Sequence, residues 1–220
     1  MYLDFFAGSC TTAQAVIELN REDDGNRRYI MVQLPELIDE DKYPKAASEF
    51  RTVANVGKER IRRVLAKVKR EDESKLDLTT REAPEDLGFR VFKLAPSNYR
   101  QWKGMDASDP EAYSRQLDMF ADLLVVNWEP VNVLWEVAIK EGYVLNTHLE
   151  KLEEVKDNTV WRITDPDKEQ SILVCLDDEL QPSTLSALPL SKEHVFVCRN
   201  KALNDTIAAN LALQCRLKKI

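Results

Sequence analysis

The amino-acid sequence predicts an α/β fold in two parts, and three observations support this prediction. An apolar run of strand character, Met1–Phe6, leads directly into a turn of small residues and then into a helical pattern. Farther along the chain, short apolar strands alternate with helical patterns, as in a sheet with parallel strands. Between these regions lies a charged stretch with Pro84 near its end. We therefore expect one domain at residues 1–70, a linker at 71–86 and a second domain at 87–220.

The composition is that of an ordinary globular protein. With 220 residues, of which 44% are hydrophobic, the chain is large enough for one or two apolar cores. No apolar run approaches the roughly 20 residues of a membrane-spanning helix, and no signal segment is recognisable, so we expect a cytoplasmic protein. The net charge of −7 argues against a chain that coats nucleic acid through its overall field.

The cysteines and histidines are too scattered to predict a metal site. Zinc and redox motifs need closely spaced pairs, and the chain has no CxxC sequence and only two histidines. We therefore expect no bound metal, and free thiols in a reducing compartment. The four cysteines are Cys10, Cys175, Cys198 and Cys215.

The start of the chain has the pattern of the first half of a βαβ unit. The Met1–Phe6 strand is followed by the tight turn Ala7–Cys10. Thr11 or Thr12 can cap the helix that comes next. The apolar face of that helix is formed at helical spacing by Ala13, Val16, Ile17 and Leu19.

A second strand, Arg28–Leu34, follows a polar turn and ends at Pro35. In open α/β sheets, ligands bind in the crevice at the carboxyl ends of the strands, where the turn after the first strand would lie. Gly8 would let the backbone of that turn approach a ligand closely. The turn has neither a dinucleotide-binding nor a P-loop pattern, so an ordinary tight turn is the alternative interpretation.

The spacing of apolar and basic residues over Gly57–Arg70 predicts an amphipathic helix. Its apolar stripe is Ile61, Val64, Leu65 and Val68. Its other faces are basic, and the residues that could contact DNA phosphates or a partner subunit are Lys58, Arg60, Arg62 and Arg63. The acidic run Glu71–Glu73 follows at once, which favours the other interpretation, a solvated face with balanced charge.

The second part of the chain predicts a small α/β domain with at least two parallel central strands. We expect strands at Phe89–Leu94, Thr147–Glu153, Thr159–Ile163, Ile172–Leu176 and His194–Cys198, the second and third of them forming a hairpin. We expect helices at Pro110–Leu124, Val131–Lys140 and Leu185–Leu188, and a last helix capped by Asn204 or Asp205.

Two acidic residues, Asp177 and Asp178, follow a predicted strand. We interpret them as cap or loop residues rather than metal ligands, because no phosphate-binding loop lies nearby in the sequence. The second part of the chain therefore predicts no chemistry of its own, and an assembly or docking role is the working hypothesis for it.

The segment Leu3–Ala13 resembles motif I of the amino-methyltransferases that modify adenine N6 or cytosine N4, which reads roughly L-D-x-F-A-G-S-G-T-T-A. The exception is Cys10, where that family normally has glycine. Further segments are similar to the modification subunits of type III restriction-modification systems, in the expected order. They are Asn26–Glu36, Gly57–Arg63, Leu87–Leu94 and Ala208–Cys215.

This resemblance implies a site-specific DNA methyltransferase that uses S-adenosylmethionine and extrudes its target base, with adenine N6 as the favoured acceptor. The family has a permuted, Rossmann-like domain whose catalytic Asp/Asn-Pro-Pro-aromatic segment precedes motif I. We find no such segment; Asp109–Glu111 and Asp165–Asp167 lack the second proline and the aromatic residue. We therefore expect a partial methyltransferase fold without its catalytic half, no catalytic residue in this chain, and no activity of the chain alone.

The resemblance also implies which residues bind the cofactor. The amino-acid and ribose portions of S-adenosylmethionine would contact Asp4, Phe6, Ala7, Gly8, Ser9 and Thr11. Thr12 either lines the same pocket or only caps the helix. Relatives commonly place an acidic residue at the end of the second strand, where this chain has Gln33, and Glu36 is a possible substitute.

Cys10 affects this expectation, because a side chain at a position of positive φ brings strain of about 1 kcal/mol or more. Two functions therefore stay open. The first is the cofactor-binding part of a DNA methyltransferase. The second is an assembly module that binds no cofactor. The partners that the resemblance implies are DNA, a second modification subunit and a restriction subunit.

Overall fold

The computed structural model describes residues 1–74, 87–101, 122–220, Glu111 and Ser114. The chain divides into two units, Met1–Phe92 and Lys93–Ile220. In the first unit the strands β1 (Tyr2–Asp4) and β2 (Tyr29–Met31) are joined by helix α1 (Thr11–Glu22), and helices α2 (Pro44–Glu49) and α3 (Val53–Ser74) follow. The strands are parallel, so the βαβ pattern read from the sequence is confirmed.

The core of the first unit lies between α1, α3 and one face of the strand pair. The expected stripe on α3 is confirmed, because Ile61, Leu65 and Val68 are buried and Val64 packs against them. On α1 the expected face is only partly correct, since Leu19 is 38% exposed. The buried residues of this core are Ala7, Cys10, Ala13, Ile17, Ile61, Leu65 and Val68.

The other face of the strand pair is open. Leu3 and Ile30 are register partners, and their side chains are 49% and 42% exposed. Tyr29 and Met31, whose side chains alternate with Ile30, pack against the core instead. Parallel strands are usually covered on both faces. This pair differs, because the face with Tyr29 and Met31 is covered and the face with Leu3 and Ile30 is not.

The second unit is built on a five-stranded mixed sheet in sequential order. Its strands are β3 (His148–Lys151), β4 (Val160–Thr164), β5 (Ile172–Cys175), β6 (Val195–Cys198) and β7 (Arg216–Lys219). The first three strands are antiparallel neighbours and the last three are parallel. The helices of this unit are α4 (Pro130–Lys140), α5 (Pro182–Ala187) and α6 (Asp205–Gln214), with a 3-10 turn at Asn200–Ala202.

The central strands β5 and β6 are buried on both faces, which explains their uninterrupted apolar sequences. Ile172 and Val174 of β5 point into the core that includes α4. Leu173 and Cys175 point into the opposite core, which includes Leu180 and residues of α6. Because side chains alternate along a strand, a strand with both faces covered must be apolar at every position.

Most of the predicted elements of the second unit are confirmed. The hairpin, α4, the two buried strands and the last helix are present, and Asn204 rather than Asp205 caps the last helix by accepting a bond of 2.8 Å from the Ile207 amide. The strand expected at Phe89–Leu94 is wrong, because residues 87–97 form no strand. The helix expected at Pro110–Leu124 lies mostly outside the described residues.

Among the described residues, the elements that were not predicted are α2, the 3-10 turn at Asn200–Ala202 and the edge strand β7. Within the part of the chain that the structure describes, no helix is both long and apolar enough to cross a membrane.

Candidate functional site

The turn between β1 and α1 contains two residues in the left-handed region. Gly8 has φ of 52° and Cys10 has φ of 58°. The turn is closed by a hydrogen bond of 2.7 Å from the Cys10 amide to the Ala7 carbonyl, and the Ala7 amide donates to the Val32 carbonyl at 3.1 Å. Glycine adopts this conformation without a penalty, whereas a residue with a Cβ incurs about 1 kcal/mol or more. Cys10 therefore stands at a position that favours glycine, as the family pattern has it.

The Asp4 carboxylate ties the two ends of the turn together. One oxygen accepts a hydrogen bond from the Phe6 amide at 3.0 Å, and the other accepts from the Thr12 hydroxyl at 2.8 Å. The expected capping of α1 by Thr11 or Thr12 is wrong, because the N-cap residue is Cys10 and it makes no side-chain cap bond. Both threonines lie inside the first helical turn, where Thr12 is free to donate to Asp4.

Gln33 connects the end of β2 to the same turn. Its side-chain oxygen accepts a hydrogen bond of 2.8 Å from the Gly8 amide, and its side-chain nitrogen donates to the Leu34 carbonyl at 3.2 Å. The alternative residue, Glu36, is exposed, and its backbone carbonyl accepts from the Val53 amide at 3.0 Å. Of these two candidates, Gln33 is the one in contact with the turn.

Helix α3 contributes a residue to this turn that the sequence analysis assigned elsewhere. The Arg60 guanidinium donates to the Ser9 hydroxyl at 3.3 Å and to the Gln14 side-chain oxygen at 3.1 Å. Its Nε atom is buried and has no hydrogen-bond partner among the described residues. A signal for this contact was present in the sequence, because Gly57 and Arg60 continue the apolar stripe of α3 at helical spacing.

Gly57 is the point of closest approach between α3 and the turn. A Cβ built on Gly57 would lie 2.5 Å from the Cys10 sulfur and 3.2 Å from the Gly8 carbonyl oxygen. The Cys10 side chain therefore fills the space that a larger residue at position 57 would need. Burial raises the pKa of the Cys10 thiol, the charge of Asp4 raises it further, and the charge of Arg60 opposes the shift.

The expected cofactor residues differ in exposure. Ala7 is buried and Phe6 is 91% exposed, while Gly8 and Ser9 are half-buried and Thr11 is exposed. The structure brings Asp4, Gly8 and Gln33, together with Ser9, to one turn. These residues form a turn whose backbone is fixed by side chains from β1, β2 and α3, a class of site that suits a small polar ligand at a helix N-terminus.

Two of the candidate DNA-contacting residues of α3, Arg62 and Arg63, have acidic neighbours. Arg63 lies 2.8 Å from Glu59 and 3.9 Å from Glu49, and Arg62 lies 3.9 Å from Glu59. Arg62 also lies over the Phe89 ring, 5.9 Å from its centroid. These ion pairs support the interpretation of a solvated face with balanced charge. The Arg60 side chain does not belong to this face, because it donates to Ser9 in the turn.

In the second unit, charged residues meet at the carboxyl ends of β5 and β6. Arg199 is buried and its guanidinium forms ion pairs with Asp122 and Asp178, while Lys201 lies 2.9 Å from Asp178. Asp177 accepts hydrogen bonds of 2.8 Å from the Asn158 side chain and the Thr159 amide. These contacts indicate that Asp177 and Asp178 hold loops in place, as expected for loop residues. Among the described residues, no group of acidic, histidine or cysteine side chains could hold a metal ion.

No protein-family model matches the sequence. Three curated proteins are similar to parts of it, and all are Mod subunits of type III restriction-modification enzymes. The StyLTI subunit of Salmonella typhimurium is 34% identical over 107 residues, which cover 49% of this chain and 15% of the relative. The EcoPI subunit of Escherichia phage P1 is 36% identical over 92 residues, which cover 42% and 13%. The EcoP15I subunit of Escherichia coli is 29% identical over 152 residues, which cover 69% and 20%.

These matches confirm the resemblance read from the sequence, and the chain is related to type III Mod subunits. The matched regions span 13% to 20% of the length of the curated relatives.

Proposed function

We propose that this relative of type III Mod subunits carries the S-adenosylmethionine loop of a DNA methyltransferase, with adenine N6 as the favoured acceptor. The observation that carries the proposal is the turn after β1. Asp4, Gln33 and Arg60 hold it from three different elements, and it contains two residues of positive φ. A turn that is ordered before a ligand arrives loses little conformational entropy on binding.

The chemistry of the turn fits the methionine portion of the cofactor. Helix α1 has no side-chain cap and no acidic residue in its first turn, so its N-terminal amides can donate hydrogen bonds to a carboxylate of the ligand. Half-buried Gly8 and Ser9, together with exposed Thr11, would line this end of the site. When bound, S-adenosylmethionine supplies an activated methyl group.

Gln33 would have a different role from the acidic residue that relatives commonly place at the end of the second strand. Its side-chain oxygen is engaged by the Gly8 amide, so it supports the turn from β2. Ribose hydroxyls would then be contacted by backbone groups of the same strand end and by Glu36, which is exposed beyond it. The exposed aromatic side chain of Phe6 would cover the bound cofactor.

A titration of S-adenosylmethionine into the purified chain, followed by calorimetry, tests the proposal. We expect saturable binding by the wild-type chain, and binding at least as tight by a Cys10→Gly variant, because glycine removes a side chain from a position of positive φ. We expect Asp4→Ala to weaken binding by about tenfold or more, since the turn loses two hydrogen bonds.

The matched control is Asp41→Ala, which removes an exposed acidic side chain outside the turn. Equal affinities for the Asp4 and Asp41 variants would contradict the role of the turn. The absence of binding by both the wild-type chain and the Cys10→Gly variant would reject the cofactor site.

The second candidate function is an assembly module that binds no cofactor, with a second modification subunit or a restriction subunit as partner. The observation that favours it is Cys10, which stands where the motif I pattern has glycine. The Cys10 sulfur packs against Gly57. Light scattering over a range of concentrations tests this function. A chain that binds S-adenosylmethionine and stays monomeric supports the first function, and one that associates without binding the cofactor supports the second.

DNA contact belongs to the first function. Lys58, Arg62 and Arg63 are the residues of α3 that would approach phosphates, and the acidic neighbours Glu59 and Glu49 would limit the strength of the contact. We therefore expect weak, salt-sensitive DNA binding by the chain alone.

A further inference from the structure

We infer that Arg60 is a positioning residue for the cofactor loop: its guanidinium fixes the turn at Ser9 relative to helix α1, so that the loop keeps its binding conformation. This inference rests on the proposed function and adds to it a residue from α3, outside motif I.

The guanidinium of Arg60 bridges two elements. One nitrogen donates to Ser9 in the turn, at 3.3 Å, and the other donates to Gln14 on the first turns of α1, at 3.1 Å. A planar fork with donors in fixed directions sets the relative position of both acceptors. A lysine ammonium could reach one of them but could not fix the angle between them.

The burial of Arg60 makes this bridge costly to break. Within the part of the chain that the structure describes, its Nε atom is buried without a hydrogen-bond partner, although Arg60 as a whole is only half-buried. A guanidinium held in this way must keep its two remaining bonds, because otherwise a cation is left partly desolvated and unpaired. The bridge therefore favours a single conformation of the turn.

The turn needs such a support because its own conformation is strained. Cys10, next to Ser9, has φ of 58°. In the absence of an external contact, the turn could relax to a conformation with negative φ at Cys10. The Arg60 bridge holds Ser9, which precedes Cys10, and Gln14, which follows it, while Gln33 accepts from the Gly8 amide; these contacts oppose that relaxation.

Cys10 also provides a readout of the turn that does not depend on a cofactor. Its side chain is 6% exposed and the other three cysteines lie in the second unit, so alkylation of Cys10, followed by mass spectrometry of the peptide, reports opening of this loop alone. We expect Arg60→Ala to increase the alkylation rate of Cys10 by about tenfold and to weaken S-adenosylmethionine binding by a similar factor. Arg60→Lys, which keeps the charge and one bond, is expected to fall between wild type and Arg60→Ala in both measurements.

The matched control is Lys67→Ala, which removes one positive charge from the same helix at a side chain that is 71% exposed. If Arg60→Ala and Lys67→Ala give the same alkylation rate, the inference is overturned. It is also overturned if Arg60→Ala accelerates hydrogen exchange throughout α1 as much as it accelerates alkylation, because Arg60 would then stabilise the whole unit. If the wild-type chain binds no S-adenosylmethionine, the proposed function fails, while the alkylation rates still decide whether Arg60 positions the turn.

Discussion

The absence of a side chain at Gly57 leaves the space that the Cys10 side chain fills. The Cys10 sulfur occupies the space where a side chain at position 57 would lie, 2.5 Å from a Cβ built there. Glycine costs about 1 kcal/mol relative to alanine in a helix interior, so its presence in α3 has a local cost. The close contact with Cys10 provides the physical reason for a glycine at this position.

We expect the effect of Gly57→Ala on stability to depend on residue 10. In the wild-type chain, overpacking of about 1–3 kcal/mol outweighs the gain in helix propensity of about 1 kcal/mol, so the first unit is destabilised. In a Cys10→Gly background the sulfur is absent and only the 3.2 Å approach to the Gly8 carbonyl oxygen remains, so the same change is expected to be less destabilising. All four tryptophans lie in the second unit, so native-state hydrogen exchange of α1 amides is the suitable measurement. Equal effects in both backgrounds would mean that the two residues are independent.

Gln33 offers a second test at the residue scale. Gln33→Glu keeps an oxygen that can accept from the Gly8 amide, whereas Gln33→Leu removes the acceptor and leaves that amide without its partner. We expect Gln33→Leu to raise the alkylation rate of Cys10 by about tenfold, at a cost of about 1–3 kcal/mol for the unpaired amide, and Gln33→Glu to leave it close to wild type. Similar rates for the two variants would show that the Gln33 bond does not hold the turn.

The N-terminus of helix α6 is capped by the Asn204 side chain. Asn204 accepts a bond of 2.8 Å from the Ile207 amide, and Asp205 is the acidic residue of the first turn. We expect Asn204→Ala to lower the unfolding free energy of the second unit by about 1 kcal/mol, and Asp205→Ala, the matched control, by about 0.3–1 kcal/mol through the helix dipole. Urea unfolding followed by tryptophan fluorescence measures both. A larger loss for Asp205→Ala would contradict the assignment of Asn204 as the cap.

The strands β5 and β6 place Cys175 beside Cys198 in register. Burial raises the pKa of each thiol to about 12, from an ordinary value near 9. An unfolded chain releases these protons above about pH 9, while the folded chain keeps them until about pH 12. The second unit is therefore expected to be fully stable below pH 9 with respect to these groups, and to lose stability as the pH rises from 9 to 12.

Unfolding in urea at several alkaline pH values measures this loss. Cys175→Val should reduce the slope of unfolding free energy against pH, since one of the two thiols no longer titrates. Tyr99, whose pKa burial also raises to about 12, contributes to the slope in both proteins and serves as an internal reference. The same slope for both proteins would contradict the burial of Cys175.

The elements that could be predicted from the sequence are those with a strong local pattern. The buried strands β5 and β6 are apolar at every position, and α3 has an apolar stripe over three turns, so both were recognisable. Strand β7, Arg216–Lys219, is polar at an edge and depends on pairing with β6, which no local pattern reveals. At the site, Asp4 and Gly8 were recognisable from motif I. The helical spacing of Arg60 along the apolar stripe of α3 was readable from the sequence, but its partner Ser9 was not, because that contact is set by the tertiary fold.

At the scale of the whole molecule, the described units differ in how completely they enclose their apolar surface. The second unit covers both faces of its central strands, whereas the first leaves Leu3 and Ile30 exposed on one face of its strand pair. We therefore expect lower resistance to proteolysis and faster hydrogen exchange in the first unit. Limited proteolysis, with fragments identified by mass, tests this expectation. Earlier cleavage inside the β3–β7 sheet would contradict it.

The sequence contains no Asp/Asn-Pro-Pro-aromatic segment, so we expect the purified chain to transfer no methyl group to DNA even where it binds S-adenosylmethionine. Incubation with tritiated cofactor and mixed-sequence duplex DNA measures this, with a full-length Mod subunit as the positive control. Incorporation at a rate near that of the control would contradict the expectation that this chain lacks the catalytic half of a methyltransferase.

The contact between Cys10 and Gly57 also constrains how such sequences can diverge. A lineage with cysteine at position 10 cannot acquire a side chain at position 57 without first losing the sulfur, so the order of substitutions matters. In a lineage with glycine at position 10 the contact with sulfur is absent, and a small side chain at position 57 meets only the Gly8 carbonyl oxygen at 3.2 Å. Among descendants of a common ancestor, the two positions should therefore change together, and a reversion at position 10 should be permissive for change at position 57.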